Sequence, residues 1–237
     1  MIRELIWDSK LFGKKIGVLS VDVESINQIP ASLKTAKGNG YRYVVCKLYS
    51  QNTTLIRALE SNGFYLTDIG VIWEVEIKHI SLGKNRDYNT RKLIKIASES
   101  DIPVLKRMIT SLFGESRFYN DPFYSRGEAD KLYQTWIENS VRGEAADAVF
   151  IIPGTGFVTC KKSAKGRGEI KLIGIKRSQR GKRLGTNLLA AAVDWFRKQN
   201  VQFVRARTQL KNLPAMNFYS KSGFRVAEYD LIFSKIL

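Results

Sequence analysis

The most concentrated chemistry in this sequence lies between Arg180 and Thr186, where three cationic side chains stand beside two glycines. An apolar stretch, Glu169 to Ile175, precedes the segment, and an amphipathic stretch, Leu184 to Lys198, follows it. This order predicts a strand, a loop and a helix. Such a loop directs backbone N–H groups and the positive end of a helix dipole at one point, which suits a pyrophosphate. The alternative is an ordinary Gly-rich turn, since the segment lacks the Lys-Ser/Thr end of a nucleotide-hydrolysing P-loop and the dinucleotide-binding fingerprint.

Tyr219 is the side chain best suited to donate a proton. It lies in a predicted helix from Leu213 to Ser222, which Asn212 begins and Gly223 ends. A phenol with a reference pKa of ~10 can protonate a departing thiolate, because the pKa of the thiol is lower by less than about two units. The alternative is a packed aromatic ring with its hydroxyl at the surface.

The sequence contains an internal similarity. Residues 52–64 and 212–224 both run from an Asn to a Gly-Phe pair over the same interval, and each follows a predicted strand. Both therefore predict a strand, a short helix, a Gly-Phe turn and a strand, although an Asn-capped helix ended by Gly also arises by chance. The first copy has Leu59 where the second has Tyr219 and lacks the basic Gly loop. If the repeat is real, the N-terminal copy has the scaffold without the chemistry.

Hydrophobic periodicity predicts an α/β domain around a mixed sheet in the C-terminal part of the chain. The expected helices are 101–114, 128–142, 184–198 and 213–222, and the expected strands are 148–152, 157–161, 169–175, 203–208 and 226–234. The stretch from His79 to Arg91 has no periodic apolar face and predicts a linker. We therefore expect a boundary near residue 85, with one domain in residues 1–85 and another in residues 86–237.

Composition excludes several classes of protein. Of 237 residues, 44% are hydrophobic and 11% aromatic, which is enough for a packed core and excludes a disordered chain. No apolar run approaches the ~18 residues of a membrane span. A single His and two distant cysteines, Cys46 and Cys160, argue against a metal or disulfide framework and favour the cytoplasm.

The charge is strongly positive and unevenly distributed. Lys and Arg number 39 against 22 Asp and Glu, a formal net charge of +17. Between Lys161 and Arg183 there are ten basic residues and a single acidic one, Glu169. This density indicates an anionic ligand beside the loop, whereas a surface that is merely rich in lysine remains the alternative for each residue taken singly.

The loop and Tyr219 together resemble the Gcn5-related N-acetyltransferase (GNAT) family. The matching pattern is an Arg-x-x-x-x-Gly loop that opens a helix, then a strand, then Asn-x-x-Ala-x-x-x-Tyr-x-x-x-Gly-Phe. The resemblance implies a GNAT fold with acetyl-coenzyme A as cosubstrate and Tyr219 as the acid that protonates its sulfur. The implied cofactor-binding residues are Ile173, Ile175, Arg180, Gly181, Lys182, Arg183, Leu184, Gly185, Thr186 and Asn212. Arg183 departs from the family pattern, because a Gly often stands there.

The likeness extends to family members that acetylate the amine of a nucleotide-linked amino-deoxy sugar, such as dTDP-fucosamine, in surface polysaccharide synthesis. It rests on residues 116–124, Trp136 to Gly143, Trp7 to Gly13 and Gly63-Phe64. It implies a smaller, degenerate GNAT-like α/β domain before the catalytic one, and a homodimer is a further expectation. The basic turn from Lys161 to Lys171 is longer than this likeness leads us to expect.

Five residues are candidates for contact with the acceptor substrate. Phe118, Tyr119 and Tyr124 offer aromatic planes that stack on a sugar or base, with packing under the first two helices as the alternative. Glu169 is a candidate base acting through water, or an exposed residue at the end of a strand. Arg207 faces either a diphosphate or solvent.

Two other functions remain open at this stage. One is a GNAT enzyme that acetylates amines of proteins or aminoglycosides, against which the N-terminal half-domain argues. The other is a basic module that binds nucleic acid, which the charge of +17 favours and the clustering of charge beside one loop disfavours.

Overall fold

One mixed sheet unites both parts of the chain. The computed structural model describes residues 1–49, 51–82, 92–163 and 166–237. Within these ranges the strands follow the order β1-β2-β3-β10-β4-β9-β8-β7-β6-β5. Their bounds are β1 Ile2–Glu4, β2 Ile16–Leu19, β3 Tyr43–Leu48, β4 Tyr65–Glu76, β5 Lys95–Ile96, β6 Ala148–Ile152, β7 Gly156–Ser163, β8 Arg167–Ile175, β9 Phe203–Gln209 and β10 Arg225–Ile236.

Helices cover both faces of the sheet. In the described ranges they are α1 Ile6–Phe12, α2 Ile29–Gly38, α3 Thr53–Ser61, α4 Ile102–Ile109, α5 Arg117–Asn120, α6 Arg126–Val141, α7 Leu184–Lys198 and α8 Leu213–Lys221. Strand β6 shows how the faces are divided, since Val149 and Ile151 pack with α4 and α6 while Ala148 and Ile152 pack with α7. No helix in the described ranges has the length and apolar character needed to cross a membrane.

The helix expected over 101–114 is shorter than predicted. A capping box between Ser98 and Asp101 precedes it, and α4 ends at Ile109. The hydroxyls of Thr110 and Ser111 donate to the carbonyl oxygens of Arg107 and Met108 at 3.3 and 3.0 Å. These local hydrogen bonds compete with further helical turns and explain the early end.

The internal similarity has a matching local structure. Asn52 Oδ1 accepts from Leu55 N at 3.1 Å at the start of α3, and Asn212 Oδ1 accepts from Ala215 N at 3.2 Å at the start of α8. Gly63 and Gly223 follow these helices with φ of +76° and +89°. Only glycine adopts such angles at little cost, so each Gly-Phe turn depends on its glycine.

The two strand–helix–strand units are interleaved. Strand β10 lies between β3 and β4, and β4 lies between β10 and β9, so the second strand of each unit is inserted into the other unit. The central β10–β4 pair is antiparallel from Arg225↔Glu74 to Ser234↔Tyr65. The boundary expected near residue 85 lies outside the described residues, and the sheet continues across the two predicted domains.

Candidate active site

Strands β8 and β9 separate at the centre of the sheet. Their parallel pairing runs from Arg167↔Phe203 to Ile170↔Ala206, whereas β8 continues to Ile175 and β9 to Gln209. Lys171 is the extra residue of a β-bulge, because Thr159 pairs with Leu172 and Cys160 with Ile170. The edge of β8 beyond Ile170 therefore keeps backbone groups that β9 does not use.

The basic loop lies at the end of the separated part of β8. A 3-10 turn, Arg177–Gln179, follows β8, and α7 begins at Leu184. The first backbone bond across the start of α7 is from Asn187 N to Arg183 O at 3.2 Å. The N–H groups before Asn187 cannot bond within the helix, so they are available to a ligand at its positive end.

Arg183 occupies the position at which the sequence departs from the family pattern. Its φ of 57° is left-handed, and Gly181 has a φ of +81°. A left-handed backbone costs a side-chain-bearing residue roughly 1–2 kcal/mol, so a Gly at position 183 would relieve strain. In exchange, Arg183 adds an exposed cation beside the first turn of α7.

A cavity of about 800 Å³, here called the loop cavity, lies between the basic loop, β8 and the segment after α4. Of the residues predicted to bind the cofactor, its lining includes Ile173, Ile175, Arg180, Gly181, Arg183, Leu184, Gly185, Thr186 and Asn212. Lys182 is not in this lining, and its Nζ donates to Gln179 Oε1 at 3.0 Å. Arg180 Nε donates to Ile175 O at 3.2 Å, which fixes the loop against the end of β8.

A second cavity of about 550 Å³, here called the split cavity, fills the opening between β8 and β9. The two cavities share Phe113, Ile173, Asn212 and Ala215 in their linings, so they adjoin. Tyr219 lies on the wall of the split cavity. Its ring packs against Trp73 and Phe224, with centroids 6.1 and 5.2 Å apart.

Tyr219 is 3% exposed, and burial raises the pKa of its hydroxyl well above the ordinary value. The hydroxyl therefore stays protonated at every physiological pH. Transfer of its proton to a thiolate is less favourable than the reference pKa predicts, since a buried phenolate lacks solvation.

The candidate acceptor residues fall into two groups. Phe118, Glu169 and Arg207 line the split cavity, whereas Tyr119 and Tyr124 do not. The Tyr119 hydroxyl donates to Asp130 Oδ1 at 2.6 Å. Tyr124 packs among Phe12, Tyr43, Phe118 and Phe123, and burial raises its pKa to about 12.

Glu169 and Arg207 are both neutralised by neighbours. Glu169 forms an ion pair with Lys171 and accepts from Ser163 Oγ at 3.2 Å. Burial alone would raise its pKa, but these contacts lower the pKa below its usual value, which disfavours a role as base. Arg207 Nη2 lies 2.6 Å from Asp230 and 3.2 Å from Asp68.

Several lining residues were not anticipated from the sequence. Lys47, Tyr49, Asp68 and Ile72, all from the N-terminal half, line the split cavity. The signal for them was the repeat itself, because these residues lie in or just after the strands that flank its first helix. Ser116, Arg117, Tyr133 and Trp136 complete the opposite wall.

Comparison with known proteins identifies this arrangement. Residues 115–224 match the model of the acetyltransferase (GNAT) family. The chain contains a GNAT acetyltransferase domain. It is therefore an N-acetyltransferase, and the matched region includes the basic loop, both faces of the β8–β9 opening and Tyr219.

The relatives of this chain are similar to it over different lengths. A dTDP-fucosamine acetyltransferase of Escherichia coli O6:H1 is 26% identical over 95% of this chain and 93% of its own. The spore coat polysaccharide biosynthesis protein SpsD of Bacillus subtilis is 29% identical over 52% of this chain and 44% of its own. A GCN5-related N-acetyltransferase from Sphaerobacter thermophilus superposes with a TM-score of 0.65 at 12% identity, over 99% of this chain and 76% of that one. This last likeness concerns the fold alone.

GNAT-fold enzymes use acetyl-coenzyme A, and the loop cavity has features that suit it. Arg177, Arg180 and Arg183 line the cavity beside the open N–H groups of α7, where a pyrophosphate would sit. The unpaired edge of β8 from Lys171 to Ile175 can form backbone hydrogen bonds with an extended arm. In the described ranges no cluster of three or more His, Cys, Asp or Glu side chains could hold a metal ion.

Proposed function

We propose that this protein transfers the acetyl group of acetyl-coenzyme A to the amine of a nucleotide-linked amino-deoxy sugar, similar to dTDP-fucosamine, for surface polysaccharide synthesis. The observation that supports this most is the split cavity in the β8–β9 opening, which adjoins the loop cavity and has Tyr219 on its wall. The relative that matches nearly the whole chain is a dTDP-fucosamine acetyltransferase. We further propose a cytoplasmic location, since Cys46 and Cys160 are both free thiols.

The loop cavity is the proposed donor site. The backbone N–H groups from Gly181 to Thr186 would hold the pyrophosphate, with charge added by Arg180 and Arg183. Ile173 and Ile175 would pair with the pantetheine arm through their backbone. Asn212 lines both cavities and so would lie where the arm enters the split cavity.

The split cavity is the proposed acceptor site. An uncharged amine attacks the thioester carbonyl carbon, a C–N bond forms, and the C–S bond breaks. Tyr219 gives its proton to the sulfur as negative charge develops there. Burial keeps its hydroxyl protonated until that moment, at the cost of a less favourable transfer than from an ordinary phenol. The amine nitrogen afterwards releases its extra proton to water, and water returns a proton to the Tyr219 phenolate, which restores the acid.

We also propose that residues 1–85 are a degenerate copy of the GNAT fold and residues 86–237 the catalytic copy. The matching caps, glycine turns and strand order of the two units support this division. Leu59 is fully buried at the position equivalent to Tyr219, so the first copy supplies packing where the second supplies the acid.

The test is a thiol-release assay with acetyl-coenzyme A and a panel of dTDP-, UDP- and GDP-linked amino sugars. Release should require the amine, so a dTDP-linked sugar with a hydroxyl in place of that amine is the matched control. Acetylation of proteins or aminoglycosides but of no sugar nucleotide would contradict the proposal. Retention on a polyanion column at saturating coenzyme A, without thiol release from any amine, would instead favour nucleic acid as the partner.

A further inference from the structure

The wall of the split cavity contains more cations than carboxylates. The cations are Lys47, Arg117, Lys171, Arg205 and Arg207, and the carboxylates are Asp68, Glu169 and Glu228. Glu74 and Asp230, which pair with three of these cations from outside the lining, make the two signs equal in number. The attraction of this wall for an anion therefore depends on whether any of these cations lacks a carboxylate partner.

Four of the five cations already have carboxylate partners. The pairs are Lys171 with Glu169, Lys47 with Asp230 at 3.1 Å, Arg205 with Glu74 at 2.5 Å and Glu228 at 3.1 Å, and Arg207 with Asp230 at 2.6 Å and Asp68 at 3.2 Å. Their charge is therefore partly neutralised before a ligand enters.

Arg117 differs from the other four. Its guanidinium lies over the Phe118 ring, 4.3 Å from the centroid, and no carboxylate of the described residues forms an ion pair with it. Burial raises the pKa of Asp8 and of Asp68, and the charge of Arg117 opposes this rise in part, although neither carboxylate forms an ion pair with it. Nη1 of Arg117 is buried without a hydrogen-bond partner. The Tyr124 hydroxyl, which is also buried without a hydrogen-bond partner, lies close enough for Arg117 to oppose the rise that burial causes in its pKa. An unpartnered buried donor is costly, so an added acceptor at Arg117 would lower that cost.

The neighbouring Ser116 has the same property. It is 3% exposed, lines the split cavity, and its Oγ makes no hydrogen bond with the described residues. Burial raises the pKa of the Tyr133 hydroxyl, and the neighbouring Ser116 hydroxyl opposes this rise in part. Two consecutive residues thus bring unsatisfied donors to one wall.

We propose that Ser116 and Arg117 form a subsite for a phosphate group of the acceptor substrate. This inference rests on the proposed function and identifies the part of the acceptor that this wall binds. The guanidinium fork matches two phosphate oxygens, and the serine hydroxyl can donate to a third.

Calorimetric titration with dTDP, at saturating coenzyme A, tests the subsite. Coenzyme A fills the loop cavity, so that dTDP cannot bind to the basic loop. The wild type should bind dTDP, and Arg117→Ala should weaken this binding roughly tenfold or more, as expected for the loss of a charge-assisted hydrogen bond. Thymidine, which has no phosphate, should bind both proteins equally. Arg107→Ala is the matched control, because Arg107 is exposed and lines neither cavity.

Two further variants protect the test against misfolding of Arg117→Ala. Arg117→Lys keeps the charge and should retain part of the affinity. Ser116→Ala removes an unsatisfied hydroxyl, so it should weaken dTDP binding without lowering the melting temperature. If Arg117→Ala folds and binds dTDP as tightly as the wild type, the proposal is overturned. If Arg117→Ala does not fold, unchanged dTDP binding by both Arg117→Lys and Ser116→Ala overturns it. Failure of the wild type to bind dTDP at millimolar concentration, with or without binding of a dicarboxylate such as succinate, would also overturn it.

The outcomes separate this subsite from the proposed function. Acetylation of a dTDP-linked amino sugar that Arg117→Ala leaves unchanged contradicts the subsite and keeps the function. Arg117-dependent binding of dTDP by a protein that acetylates no sugar nucleotide keeps the subsite and contradicts the function.

Discussion

Replacing Tyr219 with Phe removes the proposed acid and keeps the ring. Burial is the cause of its raised pKa, and no partner of the hydroxyl contributes to the shift. The contacts with Trp73 and Phe224 involve the ring, so Tyr219→Phe should retain them. We expect its free energy of unfolding to change by less than about 1 kcal/mol, since no internal hydrogen bond is lost.

Turnover should fall much further. Loss of a positioned general acid typically costs roughly 100-fold, which corresponds to about 2.7 kcal/mol of transition-state stabilisation. The assay is thiol release from acetyl-coenzyme A with a dTDP-linked amino sugar at saturating concentrations, together with a titration of coenzyme A binding. The affinity for coenzyme A should hardly change. Tyr229→Phe is the matched control, because Tyr229 lines neither cavity.

The pH profile adds a second readout. In the proposed mechanism the acid form of Tyr219 is the active one, and burial raises its pKa so that this form persists to higher pH than for an ordinary phenol. Deprotonation of Tyr219 should therefore cause no decline of wild-type turnover between pH 7 and about 9. Tyr219→Phe should show the same profile at a lower level. Near-normal turnover in this variant would refute the assignment of the acid.

Three further variants test the loop, the N-terminal half and the split cavity. Arg183→Gly should stabilise the fold by about 1 kcal/mol by relieving its left-handed backbone, and should weaken coenzyme A binding most at low salt; unchanged affinity would remove this side chain from the site. Leu59→Ala should lower the free energy of unfolding by roughly 2–5 kcal/mol in a denaturant titration and leave turnover per folded molecule unchanged. Calorimetry should find one coenzyme A bound per chain, and two equivalent sites would mean that the first copy is functional. Arg207→Ala should lower the free energy of unfolding by roughly 3 kcal/mol, since Asp230 is fully buried and would keep Lys47 as its remaining ion-pair partner among the described residues. A decrease below about 1 kcal/mol by chemical denaturation would contradict this.

The sequence predicted the catalytic part of the sheet well because its signals are local. The segment from Leu184 to Lys198 has helical spacing after a Gly loop, and the observed helix has these bounds. The strand expected over 148–152 is likewise observed as Ala148–Ile152. Each element contains its own periodicity and punctuation, so neighbouring residues suffice to locate it. The predicted end of α4 was wrong, because the spacing of apolar residues does not reveal the hydrogen bonds from the Thr110 and Ser111 hydroxyls to backbone carbonyl oxygens.

Which residues line the split cavity could not be predicted from the sequence, because long-range strand pairing and packing decide it and local sequence patterns do not contain that information. Tyr119 and Tyr124 match the expected aromatic chemistry as well as Phe118 does, yet only Phe118 lines the cavity. Asp130 on α6 accepts a hydrogen bond from the Tyr119 hydroxyl on α5. Rings from α1, β3 and α5 contact Tyr124. Side-chain type was predictable there, whereas direction required the packed structure.

The interleaved strands explain why the N-terminal half contributes to the site at all. Because β10 is paired with β3 on one side and β4 on the other, the C-terminal half cannot complete its sheet without strands of the N-terminal half. In the sheet register, Ile232 of β10 pairs with Lys47 of β3 on one side and with Asp68 of β4 on the other. Lys47 forms an ion pair with Asp230, and Asp68 forms one with Arg207. Under the proposed division, a first copy without a proton donor would therefore still supply charged groups to the wall of the split cavity. Removal of the first half should consequently abolish folding of the second, and not merely its substrate preference.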